Sequence, residues 1–419
     1  MNGRKEERGK RKEWARARVL ACLLALVLAL GAAVPAAAQL PIAVLSEPGT
    51  TVVATEVLIA TGRSDGEEWP PGMAYLAARS VVQPILPRLD SLGAELTVRP
   101  GKDAIAFSLV AAPDAWEVAS RILMLALFRD PVEGAAVERQ RRAVHAELVG
   151  REANPVDVLA READAAVFGP EHPWGRSEVG YASSIQQLTA AAVDNFLRTA
   201  FTAERTVVGV VGPADVESAT QHLRPYFEDT ERERPEVRPA QPLDSPVRRR
   251  YDSITTWIAA SYRLPAGADL EALRMLADLS AQSLAFGPRQ RSVYDAHAQV
   301  TPWAGGGELR LQVAVPPGEA EQWAQRVREA VTRFAAQPLP EDEFRALLRS
   351  YRGRRLLELS TPEARAREAA RNLYLGGAAE TLPELEELTP ARLRAAARSL
   401  NPPVLVLLGP FVDDAGEEG

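Results

Sequence analysis

Few side chains in this sequence combine a type and a spacing that could do chemistry. Its four histidines are His145, His172, His222 and His297. None has another three or four residues away, the spacing at which one helix face offers two imidazoles to a metal. The single cysteine, Cys22, sits in an apolar run near the N-terminus, so the remainder has no thiolate for nucleophilic, redox or metal chemistry. No Walker-type phosphate loop is present, and Gly305-Gly306-Gly307 joins two strand-like runs, a hairpin turn and not a phosphate cradle. The stretch Gly72–Ser80, with Tyr75, Ala78 and Arg79 in it, reads as a helix entering a core. Pro70-Pro71-Gly72 predicts the start of this helix, and Met73, Leu76, Ala77 and Val81 its buried side.

The elements that must position these residues follow a leader. Residues 4–18 are strongly basic, 19–30 are apolar, and Ala36-Ala37-Ala38 precedes Gln39. This is the pattern of a cleaved export signal at 1–38, too short in its apolar part to be a membrane anchor. A periplasmic or secreted protein is expected. The whole chain carries a formal charge of −7, and removing the basic leader makes the remainder more acidic. Nucleic acid and anionic membrane surfaces are therefore poor partners for it.

Beyond the leader one pattern is written twice. Strand-like runs at 42–45, 51–61, 95–99 and 104–111 are followed by helical stretches at 114–128, 132–150 and 155–168. A helix at 189–201, a strand at 206–211 and a helix at 215–227 close the first copy. The second runs through 255–263, a helix at 269–285, strands at 295–302 and 308–315, helices at 319–334, 341–359 and 362–375, and a strand at 404–408. A period near two hundred residues indicates duplication of a whole domain. The expected fold is α+β, two homologous domains at 39–228 and 251–412, each a mostly antiparallel sheet with helices packed on one face. Residues 229–250, rich in Glu, Arg and Pro, read as a linker, and 413–419 as an acidic tail.

The Gly72 helix and the duplicated layout resemble the pitrilysin/insulinase-type zinc metallopeptidases, over nearly all of the chain beyond the leader. In that family a Gly-x-Ala turn leads into His-x-x-Glu-His. With Gly72 and Ala74 matched, Tyr75 and Arg79 take the metal histidines' places and Ala78 that of the catalytic glutamate. Glu147, within Arg141-Arg142-Ala143-Val144-His145-Ala146-Glu147-Leu148, falls at the third ligand, and Gln140 at a further acidic position. Leu92-Gly93-Ala94, Asp103, the loop His172-Pro173-Trp174-Gly175 and Gly180 also agree with the family's pattern. The family places an Arg and a Tyr on its second half to hold substrate. Tyr294 matches the tyrosine, whereas the arginine's position is Gly287, with Arg289 and Arg291 nearby. A phenol at Tyr294 suits either a hydrogen bond to a peptide carbonyl or the edge of the core.

One carboxylate without imidazoles does not hold zinc, so the resemblance implies a pseudopeptidase with no metal and no other cofactor. It implies further a non-catalytic partner subunit for a zinc-bearing homologous peptidase, enclosing unfolded polypeptide. The alternatives are a stand-alone peptide-binding or scaffold protein on the same fold, and an active metallopeptidase with rearranged ligands.

Overall fold

The computed structural model describes residues 41–61, 69–227, 239–285, 293–337, 339–377 and 385–411. The leader at 1–38, much of the linker, Gly287, Arg289, Arg291 and the tail at 413–419 lie outside them.

Valine- and alanine-rich runs of the first half form β1 (Ile42–Ser46), β2 (Val53–Ala60), β3 (Glu95–Arg99), β4 (Ala104–Ala111) and β5 (Thr206–Gly212). Among them lie α1 (Met73–Val82), α2 (Leu86–Asp90), α3 (Trp116–Phe128), α4 (Gly134–Glu152), α5 (Pro155–Phe168), α6 (Ala182–Gln187) and α7 (Ala190–Ala200), with α8 (Val216–Leu223) after β5. The second half provides β6 (Val247–Arg250), β7 (Thr256–Leu264), α9 (Leu270–Ala285), β8 (Asp295–Trp303) and β9 (Gly306–Val315). It continues with α10 (Ala320–Ala336), α11 (Glu341–Glu358), α12 (Pro362–Tyr374), α13 (Pro390–Ser399) and β10 (Val404–Gly409). The two five-stranded sheets share one plan, β1-β5-β2-β4-β3 and β6-β10-β7-β9-β8. Each is antiparallel except for its outer pair, β1 with β5 and β6 with β10. The α+β fold with a repeated, mostly antiparallel sheet is thus present in both halves.

The stretch read as a linker to residue 250 needs correcting at its end, because Val247–Arg250 is strand β6, paired in parallel with Val406–Gly409. Val247 is its one apolar residue and three arginines follow. Backbone pairing to β10 makes it a strand, with no side-chain alternation to announce it.

Each sheet buries both faces, and the second cover comes from the other half. On β7 and β10, Ile258, Ala260, Tyr262, Leu405 and Leu407 pack with α9, α10 and α13, while Ala259, Val404, Val406 and Leu408 pack on α5 of the first half. Reciprocally, α12 of the second half covers Ala54, Ala60, Val207 and Val211 through Ala366, Ala370 and Tyr374. Gly209 makes this approach possible, since a Cβ there would lie 2.4 Å from the Ala366 carbonyl oxygen. The exchange leaves the chain from Pro41 onward as one unit.

The hairpin tips meet as well. Asp103, in the β3–β4 turn, accepts a hydrogen bond from the Ala304 N–H of the β8–β9 turn at 2.9 Å. Asp164 of α5 binds Arg310 of β9 at 2.6 Å and Lys102 at 2.7 Å, and Trp174 packs on Trp303 at 4.7 Å between centroids.

Candidate functional site

Helix α1 begins where expected, and its entry is fixed by a close pair of glycines. Gly72 has φ +85, and a Cβ there would come within 3.0 Å of Ile185, the Val179 carbonyl and Gly180 Cα. Only glycine meets both the conformation and the contact. Gly180 thus belongs to the loop that seats α1, as does His172, whose Nδ1 accepts from the Trp174 N–H at 3.1 Å. Most of α1 is buried, including Met73, Tyr75, Leu76, Ala77 and Ala78. Helix α4 lies against it and presents Gln140 and Glu147, two turns apart, toward Tyr75 and Arg79.

These four side chains form one network. Arg79 Nη1 donates to Glu147 Oε2 at 2.6 Å and to the Tyr75 hydroxyl at 2.8 Å, and Arg79 Nε donates to Gln140 Oε1 at 3.0 Å. The Tyr75 hydroxyl lies 2.9 and 3.0 Å from the two Glu147 oxygens. Arg151, one turn beyond on α4, adds a bond to Glu147 Oε1 at 3.0 Å. The guanidinium of Arg79 therefore supplies positive charge to the carboxylate and to Gln140, the service a bound cation would perform, but with its own donors.

Burial pushes the Glu147 carboxyl up, but hydrogen bonds from Tyr75, Arg151 and Arg79 outweigh it and hold it below its ordinary range. Burial, followed by the bond to Glu147, pushes the Tyr75 phenol up, so it stays protonated. Ala78 is fully buried and offers only a methyl group where a proton acceptor would stand. Zinc does not fit this donor set, which holds one carboxylate, already hydrogen-bonded, beside a guanidinium that repels a dication. Among the described residues no group of three or more His, Cys, Asp and Glu could hold a metal ion.

Nor do the histidines converge here. His145 meets Gln186 at 3.0 Å, His222 meets Ser120 at 2.9 Å, His172 stacks on Phe168, and His297 contacts Asp295 and Gln312. A further run, Gly62-Arg63-Ser64-Asp65-Gly66, has the letters of a nucleophile turn but lies outside the described residues. Pro70-Pro71 separates it from the next helix, unlike the direct strand-to-helix corner such a turn uses.

Tyr294 is placed elsewhere, a residue 64% exposed with its N–H bonded to the Ala314 carbonyl at 2.8 Å. It lines a cavity of about 780 Å³ bounded by α9, β8, α11 and α12. This is the second half's counterpart of the α1–α4 cleft, and there Arg354 of α11 pairs with Asp278 of α9, the charges reversed relative to Arg79 and Glu147. Nothing in the sequence signalled Arg371 of α12, which also lines it.

No family model matches the chain. It is 23% identical over 331 residues to an uncharacterized zinc protease of Mycobacterium leprae, covering 74% of each chain. Among solved structures it is similar to a peptidase M16 inactive domain from Pseudomonas fluorescens, with TM-score 0.75, 18% identity and coverage of 88% of this chain and 95% of that one. It is similar also to a chain of complex III2 from Candida albicans, with TM-score 0.72, 14% identity and coverage of 89% and 94%. The paired sheets with exchanged helices define a two-half pitrilysin-type fold. The sequence likeness to a zinc protease and the shared fold support a pitrilysin-like family member, with Tyr75, Ala78 and Arg79 at the positions of the zinc motif.

Proposed function

We propose that this protein is an exported, non-catalytic subunit that pairs with a zinc-bearing homologous peptidase and helps to enclose and bind unfolded polypeptide. The observation that carries this is the Arg79 guanidinium bound to Glu147, Tyr75 and Gln140, a network that satisfies the carboxylate without a metal. The likeness to an inactive M16 domain supports a role other than hydrolysis. Arg289 and Arg291, which lie outside the described residues, and the exposed Tyr294 are the proposed substrate contacts of the second half.

The likeness to a chain of complex III2 favours a second reading, a scaffold or stand-alone binding protein on the same fold. Mixing the purified protein with a homologous chain that retains His-x-x-Glu-His separates the two. Partnership predicts a stable complex and peptide cleavage well above that of the zinc chain alone. Absence of both complex and gain would leave the scaffold reading.

A further inference from the structure

We propose that the cavity along β8 takes an extended peptide carrying an acidic side chain, with Arg371 as the receptor for its carboxylate. The inference rests on the peptide-binding part of the function proposed above and is independent of any partner subunit.

The groove has two features that point to such a ligand. Its wall is β8, the outer strand of the second sheet, which pairs with β9 on one side only. A peptide can add to such an edge through main-chain hydrogen bonds, leaving specificity to the side chains it directs at the groove floor. Residues 293–300 of that edge all line the cavity, with the exposed Tyr294 among them.

The second feature is an unmet cation. Four arginines line the groove, and three have carboxylate partners. Arg354 pairs with Asp278, Arg274 with Glu271 and Glu368, and Arg355 with Glu271, Glu358 and Glu368. The Arg371 guanidinium has no ion pair or hydrogen bond among the described residues, although it is half-buried. The carboxylates near enough to act on its charge are Glu368, Glu56 and Asp103. Each is already engaged, Glu368 by Arg274 and Arg355, Glu56 by Arg99 and Ser108, and Asp103 by the Ala304 N–H. Burial pulls the Arg371 pKa down, the sign of a charge short of compensation. A guanidinium held in this way presents its fork of donors to an incoming carboxylate, the geometry that gives the stronger charge-assisted hydrogen bonds.

Fluorescence anisotropy tests the proposal with labelled, unstructured peptides of alternating Thr and Val carrying one central Glu or Gln, each with a free or an amidated C-terminus. The full chain is expected to bind the Glu peptides about tenfold more tightly than the Gln peptides, as befits one charge-assisted hydrogen bond, whichever C-terminus they carry. Arg371→Gln should lower the Glu peptides to the level of the Gln peptides and leave the latter unchanged, with thermal unfolding as the check on folding. If that variant does not fold, the Glu-to-Gln comparison on the unaltered protein decides alone. Equal binding of Glu and Gln peptides, or a loss on amidation in place of a loss on Gln, would overturn the receptor while leaving peptide binding intact. Failure of every peptide to bind would overturn both.

Discussion

Arg79 and Asp103 show at the residue scale how this chain handles charge where water is scarce. Arg79 and Glu147 keep side-chain exposures of 30% and 31%, so their attraction is screened and their network is chiefly one of geometry. Asp103 is 8% exposed, and burial pushes its carboxyl up to about 6 in spite of the Ala304 N–H that favours the ionised form. The folded chain therefore holds a proton that the unfolded chain releases near pH 4. The Asp103 contribution to stability is greatest below that pH, falls as pH rises through 4 to 6, and stays low above. Asp103→Asn, which keeps an acceptor for Ala304, should then raise stability at pH 7 by about 3 kcal/mol, taking roughly 1.4 kcal/mol per pKa unit over a rise from 3.8 to about 6. Urea titrations of both proteins at pH 4 and pH 7 measure it, and an unchanged difference between the two pH values would refute it.

Tyr75, Arg79, Glu147 and Gln140 were legible in the sequence through the resemblance, which sets them at the metal-site positions of two helices, and helical spacing explains why those positions meet. Arg371 was not, since its isolation depends on which carboxylates the neighbouring arginines take, a matter of how α12 crosses the first sheet.

At the scale of elements, the exchange of α5 and α12 between halves joins the molecule. Strand alternation and helix periodicity predicted both sheets and nearly every long helix, because each needs only local pattern. Which sheet a helix covers is not local. The alanines of α12 give it a shallow apolar side, and a glycine far away in sequence admits it to the first sheet. Gly209→Ala should therefore destabilise the protein by about 1–3 kcal/mol, the usual cost of overpacking, because its methyl group would meet the α12 backbone and not a movable side chain. Chemical denaturation reads this directly, and a cost below about 0.5 kcal/mol, the level of an ordinary surface substitution, would show that α12 is free to shift. Strand β6 escaped the sequence for the opposite reason, its three arginines giving no pattern despite regular pairing with β10.

At the scale of the molecule, two equivalent halves each present a helix-lined cleft. The first holds Arg79 against Glu147, and the second holds Arg354 against Asp278 beside the larger cavity. The resemblance to pitrilysin-type peptidases implies one cleft for metal and the other to help hold substrate. Here the first holds a built-in cation among the residues at the metal positions, and under the proposed function the second is the face for polypeptide. The most direct measurement is metal content of the protein purified, equilibrated with zinc and dialysed, alongside the variant Tyr75→His, Ala78→Glu, Arg79→His. The unaltered chain should retain no stoichiometric zinc and show no chelator-sensitive peptide hydrolysis, while the triple variant, with two imidazoles beside Glu147, should retain zinc. One zinc per unaltered chain, accompanied by hydrolysis that a chelator abolishes, would contradict the account.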